Sequence, residues 1–183
     1  MGAILVPLRG DPCARISFTR RLIVNLQIWP FSDADMEDVI QLSLLAWAPV
    51  FSSFKQVLGS RIYSAIYPDW QGQQREVVER VCQDGGFTVY VAQLGETVAG
   101  FIAYAVNSED QTGEVELLAV HPDYQNRGIG TELNNVALEK MKESGVRLAV
   151  VGTGGDPGHA PARRSYEKVG YTALPLVRYY KAL

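Results

Sequence analysis

Apolar and polar residues along this chain change period often enough to mark its elements. Residues 22–29 alternate and predict a strand. Ser32 offers an N-cap, with Asp35 three residues on in the manner of a capping box. Met36, Ile40, Ser43 and Trp47 then share one helical face with Val39 and Leu42 beside it, and Pro49 predicts the end of that helix. Residues 51–67 suggest a second, less regular helical region closed by Pro68, and residues 70–83 a further helix burying Val77, Val78 and Val81. Asp84-Gly85-Gly86 turns into a hairpin of two strands, 87–93 and 98–106, joined at Leu94-Gly95-Glu96. A polar connection leads to a strand at 114–120. The helix expected at 128–144 buries Ile129, Leu133, Val136 and Met141, with Gly145 as its C-terminal cap. Residues 147–151 read as an apolar strand, 152–158 as a glycine-rich loop, and 160–169 as a short helix with Pro161 in its first turn. Residues 171–183 give one or two final strands.

The order β-α-α-(β-β-β)-α-β-α-β describes an α/β (α+β) domain, a mixed sheet with helices on both faces. At 183 residues, 47% apolar and 20% charged, the chain suits one globular domain with a sizeable core, placed at 22–183. Residues 1–21 read as an N-terminal extension outside that core and open to disorder. A formal net charge of -3 and a sequence pI of about 5.4 argue against a nucleic-acid partner, which would need a clustered basic face. No apolar run reaches the length of a membrane span. Cys13 and Cys82 stand apart and make no metal-ligand spacing, so no metal is expected, and a reduced, cytoplasmic chain is the simplest account.

The strongest chemical signal is Gln125-Asn126-Arg127-Gly128-Ile129-Gly130, between the 114–120 strand and the following helix. The first amides of a helix lack intrahelical acceptors and sit at the positive end of its dipole, so a glycine-bearing turn there makes an anion site. A lone G-x-G is more often a plain turn. A dinucleotide fingerprint would want a third glycine where Leu133 stands, near the first strand of the fold, and no Walker string occurs. What precedes the loop decides: Leu118-Ala119-Val120-His121-Pro122 leads through Asp123-Tyr124 into Gln125-x-x-Gly128-x-Gly130. This resembles the acyl-coenzyme A loop of the GNAT superfamily of N-acetyltransferases, [QR]-x-x-G-x-[GA]. A second stretch, His159-x-x-Ala162-x-x-x-Tyr166-Glu167-Lys168-Val169-Gly170-Tyr171, resembles that superfamily's next motif, N-x-x-A-x-x-x-Y-x-x-x-G-[FY]. Its spacing puts positions 159, 162 and 166 on one helix face.

The resemblance spans residues 22–183 and implies a GNAT fold: a central, mostly antiparallel sheet of six or seven strands with about four helices. It implies an acetyl-CoA-dependent N-acetyltransferase acting by direct transfer on a primary amine of a small molecule or peptide, as monomer or homodimer. The backbone of Leu118, Ala119 and Val120 would line the pantetheine and offer an oxyanion donor. The amides of Gln125, Asn126, Arg127, Gly128, Ile129, Gly130 and Thr131 would hold the pyrophosphate. Tyr166 stands where the family's tyrosine protonates the departing thiolate. His159 replaces the usual asparagine and is expected, with Ala162, on the cofactor side. Bases in the family often lie on the 114–120 strand. Alternation puts Glu114 and Glu116 on one face, which a bulge would change. Aromatic and acidic residues of the first helices, Trp47, Tyr67, Asp69 and Trp70, are the candidates to meet the acceptor. The glycines of 152–158 give a tight strand-to-helix path, with phosphate binding the alternative reading. The competing function is a GNAT-fold module that binds acyl-coenzyme A without turnover.

Overall fold

In the computed structural model of the protein, residues 25–183 are described. The expected N-terminal extension, Cys13 and the start of the first strand lie outside them.

Five strands form one sheet in the order β1-β2-β3-β4-β5: β1 (Leu26–Pro30), β2 (Phe87–Leu94), β3 (Thr97–Asn107), β4 (Thr112–Val120) and β5 (Leu148–Val151). Among the described residues, four α-helices accompany them: α1 (Met36–Ile66), α2 (Trp70–Gln83), α3 (Ile129–Glu143) and α4 (Ala160–Lys168). Strands β1 to β4 pair antiparallel, and β5 joins β4 in parallel. A parallel neighbour requires a crossover, which α3 supplies.

Pleating sends successive residues of β3 to opposite faces. Phe101 and Ala103 pack with Val39, Ile40 and Leu42 of α1 and Val78 and Val81 of α2. Ile102 and Tyr104 pack with Ile129, Leu133, Val136 and Met141 of α3. The apolar positions expected on these helices are therefore the ones that are buried, Met36, Trp47 and Val77 only in part.

The β3–β4 pairing slips by one residue: Ala103 faces Leu117, but Tyr104 faces Val115. Glu116 is the extra residue of a bulge. Val115 consequently packs under α3, while Leu117, two residues on, packs under α1 and α2. The simple alternation that placed Glu114 and Glu116 on one face does not hold here.

Two further expectations need correction. Pro49 does not end a helix: α1 runs through it to Ile66, and its break is at Gly59, with φ 71° and ψ 160°. The carbonyl that Pro49 leaves without a donor belongs to Leu45, which is 49% exposed, so water can satisfy it. Residues 171–183 form no strand, and among the described residues the sheet has five strands, not six or seven. Alternation predicts extended chain, but a strand also needs an edge to pair with. This tail instead runs beside α1, where Arg61 Nη2 donates to the Leu183 carbonyl at 2.8 Å. No helix among the described residues is long and apolar enough to cross a membrane.

Candidate active site

The pairing of β4 with β5 runs only from Thr112↔Leu148 to Val115↔Val151, while β4 continues to Val120. Among the described residues, 116–120 therefore have no strand on their far side. His121 donates its amide to the Ala99 carbonyl (2.9 Å). Antiparallel alternation then makes Phe101 and Ala119 a bonded pair and turns the peptide groups of Leu118 and Val120 away from β3, into the gap. The Val120 carbonyl accepts from the Gln125 side chain at 3.1 Å. The Leu118 N–H faces the gap as a fixed donor.

The N-terminus of α3 closes one end. Asn126 and Gly128 both adopt left-handed conformations, φ 61° and 90°. For an L-residue this conformation costs about 1–2 kcal/mol, which glycine avoids. The first backbone bond into the helix is Glu132 N–H to the Gly128 carbonyl (3.0 Å). Among the described residues, the amides from Arg127 to Thr131 have no backbone acceptor. They form a concave row of donors at the positive end of α3. Asn134, fully buried, donates to the Gly130 carbonyl (3.0 Å) and to Ser165 Oγ (3.2 Å), fixing this turn against α4.

Helix α4 supplies the facing wall. His159, Ala162 and Tyr166 enter the cleft together, as their spacing foretold, and Arg164 and Lys168 add two cations to its rim. Tyr166 is 8% exposed, and its ring meets that of Tyr171 edge-on at 5.8 Å. Burial, with a smaller contribution from Tyr171, pushes the Tyr166 phenol far above its ordinary value of 10.0. It therefore carries its proton at neutral pH. Burial raises thiols as well as phenols, so a thiolate released in the same cleft is made more basic alongside its donor.

These walls enclose a cleft of about 490 Å³. It gathers Glu116, Leu118, Ala119, Val120, Gln125, Asn126, Gly128, Ile129, Gly130, Thr131, His159, Ala162, Tyr166 and Trp47 from distant parts of the sequence. Five expected residues stand outside its wall. Glu114 still pairs with Val150 of β5, two positions before the gap. The Arg127 side chain folds back over the Tyr124 ring (5.1 Å) and donates to the Asp123 carbonyl. Asp69 caps α2 by accepting from the Gly72 amide at 3.1 Å. Trp70 stacks on Phe51 (4.5 Å) and Tyr67 on Phe54 (5.5 Å), within an aromatic cluster beside the cleft. Sequence reading missed Arg164, Lys168 and Asp156. The first two were legible in principle, four residues apart on the helix that carries Tyr166. Asp156 was not, because its role depends on a loop conformation.

A sequence profile of the acetyltransferase (GNAT) family matches residues 59–171. A mycothiol acetyltransferase of Corynebacterium aurimucosum is 31% identical over 83 residues, 44% of this chain and 27% of that one. A mycothiol acetyltransferase of Rhodococcus jostii is 25% identical over 156 residues, 78% of this chain and 50% of that one. The chain thus spans between about a quarter and a half of the length of these relatives. An aminoglycoside N-acetyltransferase solved with a coenzyme A bisubstrate analogue superposes with a TM-score of 0.60 at 16% identity, covering 87% of this chain and 99% of that one. At that identity the likeness speaks for the fold.

Proposed function

This chain belongs to the GNAT acetyltransferase family, and from that premise we propose that it moves an acetyl group from acetyl-coenzyme A directly to a primary amine of a small molecule or peptide. The observation that carries this reading is the convergence, in one cleft, of the α3 amide row, the unpaired edge of β4 and the proton-bearing Tyr166. Relatives named for mycothiol and for aminoglycosides support a small-molecule acceptor.

The residues present fit the donor. The amides of 127–131 suit a pyrophosphate, with Arg164 and Lys168 on the rim to offset its charge. The edge of β4 offers peptide groups to an amide-bearing arm, as a missing strand would use them. The donor supplies a thioester, activated for attack by a neutral amine. Leu118 N–H is the candidate to stabilise the oxyanion that forms on attack. Tyr166 returns a proton to the leaving sulfur. Holding both reactants in one cleft removes much of the entropy of encounter. An alkylammonium must first lose a proton. Of the two β4 carboxylates, Glu116 lines the cleft and is the candidate acceptor on that wall.

The test is release of coenzyme A thiol from acetyl-coenzyme A across a panel of amines, with Tyr166→Phe beside the wild type. The reading expects amine-dependent release, lowered about 10²-fold or more in the variant. Tight coenzyme A binding without release on any amine would favour a binding module instead.

A further inference from the structure

The second half of the loop 152–158 is tied into the protein by hydrogen bonds. The Gly158 amide donates to Ser53 Oγ (3.1 Å) and to Asp156 Oδ2 (2.9 Å). Arg163 donates to the carbonyls of Gly154 and Asp156. A Cβ on Gly158 would lie 2.9 Å from the Val50 Cα, and one on Gly154 would collide with Asp156 Oδ1 and His159 Nδ1. What this packing holds in place is a pair: Asp156 Oδ1 and His159 Nδ1, 2.5 Å apart. Asp156 is 9% exposed and His159 17%. Burial alone would raise the Asp156 carboxyl, but hydrogen bonds from Ser53, His159 and the Gly158 amide outweigh it and hold it below its ordinary value.

A carboxylate can only accept, so Nδ1 of the neutral imidazole must carry the hydrogen and Nε2 the lone pair. The chain's other histidine has the opposite arrangement: His121 Nδ1 accepts from the Asp123 amide at 3.2 Å. Nε2 of His159 has no hydrogen-bond partner among the described residues, and the residue lines the cleft. Its ring lies 5.4 Å from that of Phe54, where the cleft meets the aromatic cluster. We infer that Nε2 of His159 takes the proton from the acceptor amine, with Asp156 as its positioning residue. This rests on the transferase reading above and places the base on the α4 wall, opposite Glu116. The acceptor ammonium gives one proton to Nε2, and its nitrogen attacks the thioester carbonyl carbon. The oxyanion collapses, breaking the carbon–sulfur bond; sulfur leaves with the electron pair and is protonated by Tyr166. The second proton of the attacking nitrogen passes to water or back through the ionised tyrosine. The products are amide and thiol.

Groups that bear on His159 are Asp156 at Nδ1, Arg163 through the loop carbonyls, Tyr67 through Asp156, and Glu116, Arg164, Lys168 and Tyr166 around the cleft. Two measurements test the inference. Long-range ¹H–¹⁵N correlation spectra of the neutral imidazoles, with His159→Gln for assignment, should show one histidine of each tautomer, His159 protonated at Nδ1; an Nε2–H form at His159 overturns it. Kinetics with acetyl-coenzyme A and an accepted amine should show kcat/KM of His159→Gln down about 10²-fold. Its coenzyme A Kd by calorimetry should be at wild type, its acidic limb in the pH profile gone, and His159→Ala partly rescued by added imidazole. Asp156→Asn should shift that limb. A His159→Gln profile like the wild type, or a rate loss matched by lost coenzyme A binding, overturns the inference and leaves the transferase reading standing. Absence of amine-dependent release from the wild type overturns both.

Discussion

Two glycines of α3 share a backbone conformation and differ in what surrounds them, which makes them a matched pair. Gly128 precedes the helix at φ 90°, and Gly145 follows it at φ 85°. An alanine at either position has to adopt a left-handed conformation, at about 1–2 kcal/mol. At Gly145 a Cβ meets nothing within 4 Å, so that conformational term is the whole effect. Gly145→Ala should therefore lower the unfolding free energy by about 1–2 kcal/mol and leave ligand binding alone. At Gly128 the same strain falls where the amide row is aimed. Ile129, 1% exposed, anchors the next residue, so relief has to come from the loop at 125–128 turning its amides away. Binding a pyrophosphate must then restore the strained loop, and about 1.4 kcal/mol is a tenfold change in affinity. Gly128→Ala should bind coenzyme A about tenfold more weakly than wild type. The assay is urea denaturation of the free proteins beside calorimetric titration with coenzyme A. A Gly128→Ala protein with wild-type Kd and a stability loss equal to that of Gly145→Ala would refute the assignment of this loop as the phosphate cradle.

The other expectations are simpler. Gly158→Ala should overpack the loop against Val50 and Ser53 and lower stability by about 1–3 kcal/mol, read as a fall in the urea midpoint. Glu114→Gln should keep wild-type transfer, since Glu114 stands outside the cleft; a loss comparable to that of Tyr166→Phe would contradict this. Burial raises Cys82 from 9.0 to about 11 and Tyr104 from 10.0 to about 12, with Tyr166 higher still. Above the ordinary values the unfolded chain gives up these protons first, so stability is fully present at lower pH and falls as pH rises through the alkaline range. A urea midpoint that stays level from about pH 9 to about pH 11 would contradict that linkage.

Legibility in the sequence followed the range of the physics. Helix α3 was readable because its core face, its glycine-bearing start and Gly145 all act within a few residues of one another. The same holds for α2, whose expected span is the observed one, and for the β2–β3 hairpin. The failures have a common cause. Pro49 argues locally for a helix end, yet α1 is held against the sheet by Val39, Ile40 and Leu42 before it, and after it Val50 is buried beside Gly158 and Phe51 against Trp70. Packing on both sides outweighs one missing hydrogen bond. The tail at 171–183 alternates like a strand, but no local pattern reveals whether an edge is available. The bulge at Glu116 belongs to the register between two strands and so cannot be seen in either alone. The candidate site was legible where motifs name it, in Gln125 to Thr131 and in Tyr166. The pairing of Asp156 with His159 was hidden because a single loop conformation creates it.

That loop also explains why there is a cleft. Strand β5 is only four residues long, and the chain leaves it at Gly152 while β4 still has five residues to run. If the chain had continued alongside β4, the peptide groups of Leu118 and Val120 would be spent on a parallel ladder. Instead it turns toward α1, where Ser53 and Val50 receive Gly158 and where Arg163 gathers the carbonyls of Gly154 and Asp156. The same contacts set the direction in which α4 begins, and hence where His159, Ala162 and Tyr166 point. Opening the sheet and orienting the α4 wall are therefore one structural event. It follows that a change in the loop, such as Gly158→Ala, should disturb donor binding and proton transfer together, whereas His159→Gln should disturb proton transfer alone.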